Sequence, residues 1–215
     1  MTTPAGNRAG WQHRNKVGPP GLPTAAKRVA LHTQPQLESK HMTATATLID
    51  SDLAALLEYG AKLVSVVRGE KRPAGMGWPS LATNDEATIQ RWLACGNIGI
   101  CLGHGNLIDI EYDDHASWEA FMAMTTTDGT PLHELKTPTW TSQRGQHHLF
   151  RLAGELPTRA FTKTKGGVEI RLGGRAAQSV LPPSVHPSGR PYAWLVSPQQ
   201  CGPALLTLAD LGLAH

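Results

Sequence analysis

Two acidic residues two positions apart, Asp109 and Glu111, have the types and spacing to do chemistry in this sequence. They lie in residues 106–114, where neighbouring apolar residues favour a buried β-strand. Residues i and i+2 of a strand point to the same face, so the two carboxylates lie side by side. Adjacent carboxylates repel each other unless a cation lies between them, and Mg²⁺ is often held by one or two carboxylates plus substrate phosphates. The pattern alone leaves a metal site and a solvated strand end equally open.

Charge is unevenly distributed along the chain, whose formal net charge is +3. Residues 1–46 carry six Lys or Arg and one acidic residue. Residues 105–128 carry six acidic residues and no Lys or Arg, whereas residues 144–190 carry eight Lys or Arg and two acidic residues. An acidic segment facing a basic one suits a metal ion and a phosphate-bearing ligand in one cleft. Chance segregation in the sequence, with mixing in space, is the alternative.

Composition indicates a globular protein that we expect to be cytoplasmic. No apolar run approaches the ~18 residues that a membrane span needs, and the N-terminus lacks the apolar core of a signal peptide. Three cysteines without CxxC spacing do not imply a disulfide framework. We predict a disordered basic tail over residues 1–46, a folded domain over residues 47–198, and a C-terminal tail or helix over residues 199–215.

The elements that must position the carboxylates are mostly short strands. The turn at residues 103–106, with glycines 103 and 105, predicts a β-hairpin between a strand at residues 97–102 and the strand that carries Asp109 and Glu111. A last helix is predicted over residues 203–214. Many strands with few helices predict an α+β fold rather than a doubly wound sheet. The sequence has no phosphate-binding GxxxxGK[ST] loop, zinc quartet or GxSxG motif.

Further polar residues lie on other predicted strands. His147 and His148 are consecutive on a strand and therefore face opposite sides. Glu169 lies on a later short strand. Taken alone, each has an ordinary structural explanation, but three carboxylates and a histidine amid basic residues suit metal-assisted phosphoryl transfer. Nucleases, polymerases and cyclases share this chemistry.

Seven short motifs follow one another between residues 50 and 196. They are Lys71-Arg72-Pro73 with Gly77-Trp78; Ala82-Thr83 with Ile89 and Trp92; Asn97 to Gly103; Asp109-Ile110-Glu111; Ser142 to His147; Val168-Glu169; and residues 182–189 followed by Tyr192 and Trp194. Their order resembles that of the archaeo-eukaryotic primase superfamily. More closely, it resembles the N-terminal bifunctional DNA primase/polymerase domain of plasmid and phage replication proteins.

The resemblance implies a fold and an activity. The fold would be a small α/β unit packed on an RRM-like mixed or antiparallel sheet unit, with the active site in the cleft between them. Residues 47–198 would be a nucleotidyltransferase domain, a DNA primase and DNA polymerase that uses Mg²⁺ or Mn²⁺. Its partners would be a single-stranded DNA template, dNTPs or NTPs, and a separate helicase or helical primase module. The chain ends about twenty residues after Trp194, so primer extension is a safer expectation than de novo priming.

The resemblance also implies roles for individual residues. Asp109, Glu111 and Glu169 would bind the metals, and His147 would contact the phosphates of the incoming nucleotide. Further nucleotide contacts are expected from Ser142, Arg144, Arg171 and Lys71. The third motif usually carries Asp, so Glu169, one methylene longer, departs from the family pattern.

Two other functions stay open. A catalytically weak primase-like module would bind single-stranded nucleic acid or a nucleotide without turnover. A metal-dependent nuclease would use the same carboxylates. A strand-nicking initiator is disfavoured, because its chemistry needs two histidines on one face and His147 and His148 lie on opposite faces.

Overall fold

The computed structural model describes residues 49–164, 166–174 and 176–213, so the predicted tail over residues 1–46 lies outside the described residues. The described residues form three α-helices: α1 (Ser51–Glu58), α2 (Glu86–Cys95) and α3 (His115–Met122). They also form ten β-strands: β1 (Lys62–Val66), β2 (Asn97–Cys101), β3 (Leu107–Tyr112), β4 (Thr139–Thr141), β5 (Gln146–Leu152), β6 (Phe161–Lys163), β7 (Glu169–Arg171), β8 (Gln178–Val180), β9 (Ala193–Val196) and β10 (Ala204–Leu206).

The strands form two sheets. The first sheet has the order β1-β2-β8 and is antiparallel. The second sheet has the order β6-β7-β3-β5-β4-β9, and β10 adds to β5 as a parallel neighbour. Few helices and mainly antiparallel strands agree with the predicted α+β class. Strand β3 lies between β5 and β7, so the strand with the two acidic residues has a partner on both edges.

The predicted hairpin between β2 and β3 is wrong. The tight turn exists, with Gly103 and Gly105 at positive φ, but β2 pairs within the first sheet and β3 within the second. All five residues of β2 are buried, as are five of the six in β3. Each strand is therefore an interior strand with two neighbours of its own, and the turn carries the chain from one sheet to the other.

The predicted helix over residues 203–214 is also wrong. Strand β10 pairs in parallel with β5, and turns follow it as far as the described residues extend. Leu205 is exposed whereas Leu206 is fully buried, which is the alternation of a strand rather than the stripe of a helix. Pairing with β5 therefore overrides the helical preference of a leucine-rich segment.

The core consists of two clusters, one on each face of the second sheet. The first cluster joins this sheet to the first sheet and to α1 and α2, and it includes Leu107, Trp140 and Leu149. The second cluster lies against α3 and includes Ile108, Ile110, Phe121 and Phe150. Because neighbouring residues on a strand alternate between faces, Asp109 and Glu111 point with Leu107 towards the first sheet.

His148 is buried on the α3 face of the second sheet. Its ring lies 4.5 Å from that of Phe121, and its Nδ1 is 3.3 Å from the Thr139 hydroxyl. The Thr139 hydroxyl donates to the carbonyl of Thr137, so it accepts from Nδ1–H of a neutral imidazole. Burial lowers the pKa of His148 to about 4.

This buried histidine predicts acid sensitivity. A pKa of about 4 in the folded chain, against about 6.5 in the unfolded chain, means that the unfolded chain binds more protons between these values. The free energy of unfolding therefore falls as pH falls through this window, by about 3 kcal/mol in total from this group. Between pH 6.5 and 4, we expect the free energy of unfolding, measured in urea, to fall less in His148→Phe than in the wild type, by about that amount. The exposed His115→Phe serves as control, and an unchanged slope in His148→Phe would contradict the assignment.

Candidate active site

Three adjacent strands bring the predicted site residues together. The register places Glu111 of β3 opposite His147 of β5 and opposite Glu169 of β7. Asp109, two residues earlier, lies opposite Arg171 of β7. Cross-strand partners project from the same face of a sheet. These five side chains therefore lie on the face that is turned towards the first sheet.

Asp109, Glu111 and His147 form a buried cluster, called here the carboxylate–histidine cluster. The His147 Nδ1 is 2.8 Å from Asp109 Oδ2, and its Nε2 is 3.4 Å from Glu111 Oε1. One potential ligand atom from each residue lies within 4.8 Å of the other two. The Trp140 ring stacks on the His147 ring at 4.7 Å with an interplanar angle of 5°, which holds the imidazole in place.

The Arg171 guanidinium lies among three carboxylates. It is 3.2 Å from Asp109 Oδ2 and 2.7 Å from Glu169 Oε1, and it also pairs with Glu111. A further hydrogen bond of 2.9 Å goes to the hydroxyl of Ser179, which itself donates to Asp109 Oδ2. A single cation therefore balances much of the negative charge of the site.

Glu169 lies beside the carboxylate–histidine cluster rather than within it. Its carboxylate pairs with Arg171 and is 3.2 Å from the Lys163 ammonium, and its side chain is partly exposed. Glu169 thus lies on the same face of the sheet as Asp109 and Glu111, with the Arg171 guanidinium between it and these two carboxylates. Its role as a metal ligand stays a prediction.

The two buried carboxylates differ in their proton affinity. Burial raises the pKa of Glu111 above its ordinary value, and the opposing effects of His147 and Arg171 do not cancel it. Burial also acts on Asp109, but the nearby His147, Arg171 and Ser179 outweigh it and hold the pKa of Asp109 below its ordinary value. Asp109 is therefore the carboxylate that stays ionised most readily.

The donor set fits a divalent metal ion. Asp109 Oδ1 is buried and has no hydrogen-bond partner among the described residues, although a buried polar atom normally has one. Two carboxylates and one imidazole are ligands that Mn²⁺ accepts, and the carboxylates suit Mg²⁺. Asp109, Glu111 and His147 together could hold such a cation, and the unpartnered Asp109 oxygen is available as a ligand.

The remaining predicted nucleotide contacts lie outside the cluster. Ser142 and Arg144 belong to the β4–β5 turn and line a cavity of about 650 Å³. The Ser142 hydroxyl accepts a hydrogen bond of 3.2 Å from the backbone N–H of Gly145. Lys71 is exposed in the loop after β1, and its carbonyl accepts from the Gln178 side chain.

Two contributors were missed by the sequence analysis. Ser179 contacts Asp109 from the first sheet, and Trp140 stacks on His147. The Trp140 indole N–H also donates to the carbonyl of Val180, at 2.9 Å, and thereby connects the two sheets. For Ser179, the only signal in the sequence was that a small polar residue lies in a short strand before the Pro-Pro-Ser loop. This signal does not reveal the contact with Asp109.

Comparison with known proteins supports a single family. The family model described as bifunctional DNA primase/polymerase, N-terminal, matches residues 53–208. No curated protein sequence matches the chain significantly. Of the helices in the described part of the chain, none is long and apolar enough to cross a membrane.

The position of Arg171 predicts a stability effect in the absence of metal. Arg171→Gln removes the cation but leaves three carboxylates close together, and breaking one side of a buried ion pair costs about 3 kcal/mol. We expect the free energy of urea unfolding, measured with chelator at pH 7, to fall by about that amount. Arg72→Gln breaks an exposed pair with Glu70 and should change it by less than about 0.5 kcal/mol. Equal effects of the two substitutions would contradict the central charge balance.

Proposed function

The chain belongs to the bifunctional DNA primase/polymerase family, and we propose that it is a divalent-metal-dependent nucleotidyltransferase. In this proposal it synthesises primers, or extends DNA primers on a single-stranded template, during replication of a plasmid, phage or mobile element. The observation that supports it most is the convergence of Asp109, Glu111 and His147, with one Asp109 oxygen unpartnered in the described structure.

Asp109 and Glu111 are the proposed holders of the metal, Mg²⁺ or Mn²⁺. A bound divalent ion would activate the attacking hydroxyl and stabilise the leaving phosphate oxygen. The protein itself supplies position and a defined electrostatic environment. His147 is fixed between Asp109 Oδ2 and the Trp140 ring, so its orientation is set before any ligand arrives. Such preorganisation is a main source of rate enhancement in phosphoryl transfer.

Arg171 is the cation best placed to exchange its carboxylate partners for substrate phosphates. A guanidinium pairs with carboxylate and phosphate oxygens through the same forked geometry. Arg171 now binds carboxylates, and the triphosphate of a dNTP or NTP offers equivalent oxygens. We therefore propose that Arg171 and His147 contact the nucleotide phosphates. Ser142, Arg144 and Lys71 are proposed as contacts further from the cluster.

The central test is a template-dependent extension assay with Mg²⁺ or Mn²⁺, with and without a primer. Asp109→Asn and Glu111→Gln keep side-chain shape but remove the metal-binding charge, so we expect each to lower incorporation by about a hundredfold or more. Glu58→Gln, an exposed acidic residue at the end of α1, is the matched control and should be unaffected.

Each competing function has its own outcome in this assay. Incorporation that survives the double variant Asp109→Asn/Glu111→Gln would overturn the catalytic assignment. Strand cleavage without incorporation would favour a nuclease. Nucleic-acid or nucleotide binding without turnover would favour a binding module. A requirement for an added helicase or helical module would identify the proposed partner.

Glu169 provides a separate prediction about the metal site. If it completes the ligand set, Glu169→Gln should weaken Mn²⁺ binding about tenfold or more, measured by electron paramagnetic resonance of free Mn²⁺. Lys163→Gln removes the other partner of Glu169 while leaving its carboxylate in place, and its Mn²⁺ affinity should be unchanged. Unaltered Mn²⁺ binding in Glu169→Gln would restrict Glu169 to the positioning of Arg171.

A further inference from the structure

A cavity of about 650 Å³ lies at the ends of β3 and β5 that carry Glu111 and His147, and we call it the strand-end cavity. Its volume is within the range of pockets that hold small organic groups. It is bounded by the end of β3, the first turn of α3, the β4–β5 turn and the loop before β9. Its lining includes Tyr112, Asp114, Trp118, Arg144 and Arg190.

The strand-end cavity opens at the strand ends, and its Tyr112 wall lies on the face of the sheet opposite the carboxylates. Tyr112 follows Glu111 directly on β3, so the two side chains project from opposite faces. The Tyr112 ring packs 5.4 Å from Phe121 of α3, which confirms that it faces this helix. A triphosphate bound at the carboxylate–histidine cluster would therefore occupy the opposite face. A polymer such as a nucleic-acid strand can pass around the strand ends and reach both faces of the sheet.

Trp118 offers an aromatic surface in this cavity. The residue is 42% exposed although tryptophan is usually well buried, and it belongs to neither core cluster. The His115 ring meets it edge-on at 5.4 Å, which leaves the indole positioned without covering it. Exposed aromatic rings next to cations are the platforms on which unpaired bases stack.

Arg144 and Arg190 supply positive charge at the same cavity, and both are exposed. A guanidinium nitrogen of Arg190 donates to the carbonyl of Gln143, at 3.0 Å, which anchors the side chain to the β4–β5 turn. Asp114 also lines the cavity, but its carboxylate accepts from the backbone and side chain of Ser117 as the cap of α3. The lining thus combines an aromatic platform with two cations.

We propose that the strand-end cavity binds one nucleotide of the single-stranded template, with its base stacked on Trp118 and its phosphate against Arg190. The inference rests on the proposed function, because a template must pass close to the metal site. Only an unpaired strand leaves a base free to stack, so duplex DNA does not fit this site.

The first test is fluorescence anisotropy of a labelled twelve-nucleotide oligo-dT with the full chain, in chelator and without nucleotide. The Trp118→Ala variant lacks the stacking platform, so its affinity for the oligonucleotide should fall roughly tenfold. The Trp118→Phe variant retains a ring and should keep most of the affinity. An oligonucleotide of the same length with abasic sugars has no base to stack. Wild type and Trp118→Ala should therefore bind the abasic strand equally.

The second test isolates the phosphate contact. The dependence of log affinity on log salt should become shallower by roughly 0.7 in Arg190→Gln, the value for one phosphate contact on a single strand. Arg190→Lys keeps the charge and should keep the slope. Arg91→Gln removes an exposed arginine on α2, away from the cavity, and serves as the matched control.

The results separate this inference from the proposed function. Wild-type oligonucleotide affinity in Trp118→Ala and Arg190→Gln would overturn the inference. A raised KM for dNTP in these variants, with unchanged DNA affinity, would assign the cavity to the incoming nucleotide and also overturn it. If both DNA-binding effects are found but the wild-type chain incorporates no nucleotide, the strand site stands and the polymerase proposal fails.

Discussion

Asp109 and Glu111 are almost fully withdrawn from water in the middle of a β-sheet, and an ion in such a place loses several kcal/mol of hydration. Much of the surrounding structure offsets this loss. Arg171 arrives from β7, His147 from β5 and Ser179 from the first sheet, and each lowers the cost of an ionised Asp109. The compensation is uneven, since burial still raises the pKa of Glu111. A divalent cation would complete a charge balance that the protein leaves unfinished at the unpartnered Asp109 oxygen.

This charge balance also joins the two sheets. Ser179 lies on β8 of the first sheet and contacts Asp109 of the second, while the Trp140 indole donates in the opposite direction to the Val180 carbonyl. The same indole stacks on His147. The side chain that closes the interface thus also orients the imidazole. Packing between the sheets and geometry of the site are therefore not independent, because a shift of β8 moves contacts to both Asp109 and Trp140.

The sequence predicted what depends on local periodicity and missed what depends on register. Alternation was enough to place Asp109 and Glu111 on one face and to separate His147 from His148. The motif order identified the family, which the family model confirms. Alternation could not show that β3 pairs with β7 so that Arg171 lies opposite Asp109, because strand pairing across sixty residues is set by the whole sheet. The turn after β2 was predicted from its glycines. That β2 and β3 belong to different sheets was missed, because no local signal shows which distant strands bury each of them.

The register of β3 also has a consequence for folding. Asp109 meets His147 38 residues later, Arg171 62 residues later and Ser179 70 residues later. Contacts at such separation raise the entropic cost of closing the chain and slow folding. During synthesis at roughly 5–20 residues per second, Asp109 waits several seconds for Arg171 to be made. Until then two acids without their counter-cation disfavour burial of β3. The contacts that define the finished site can therefore form only after β5, β7 and β8 have all been synthesised.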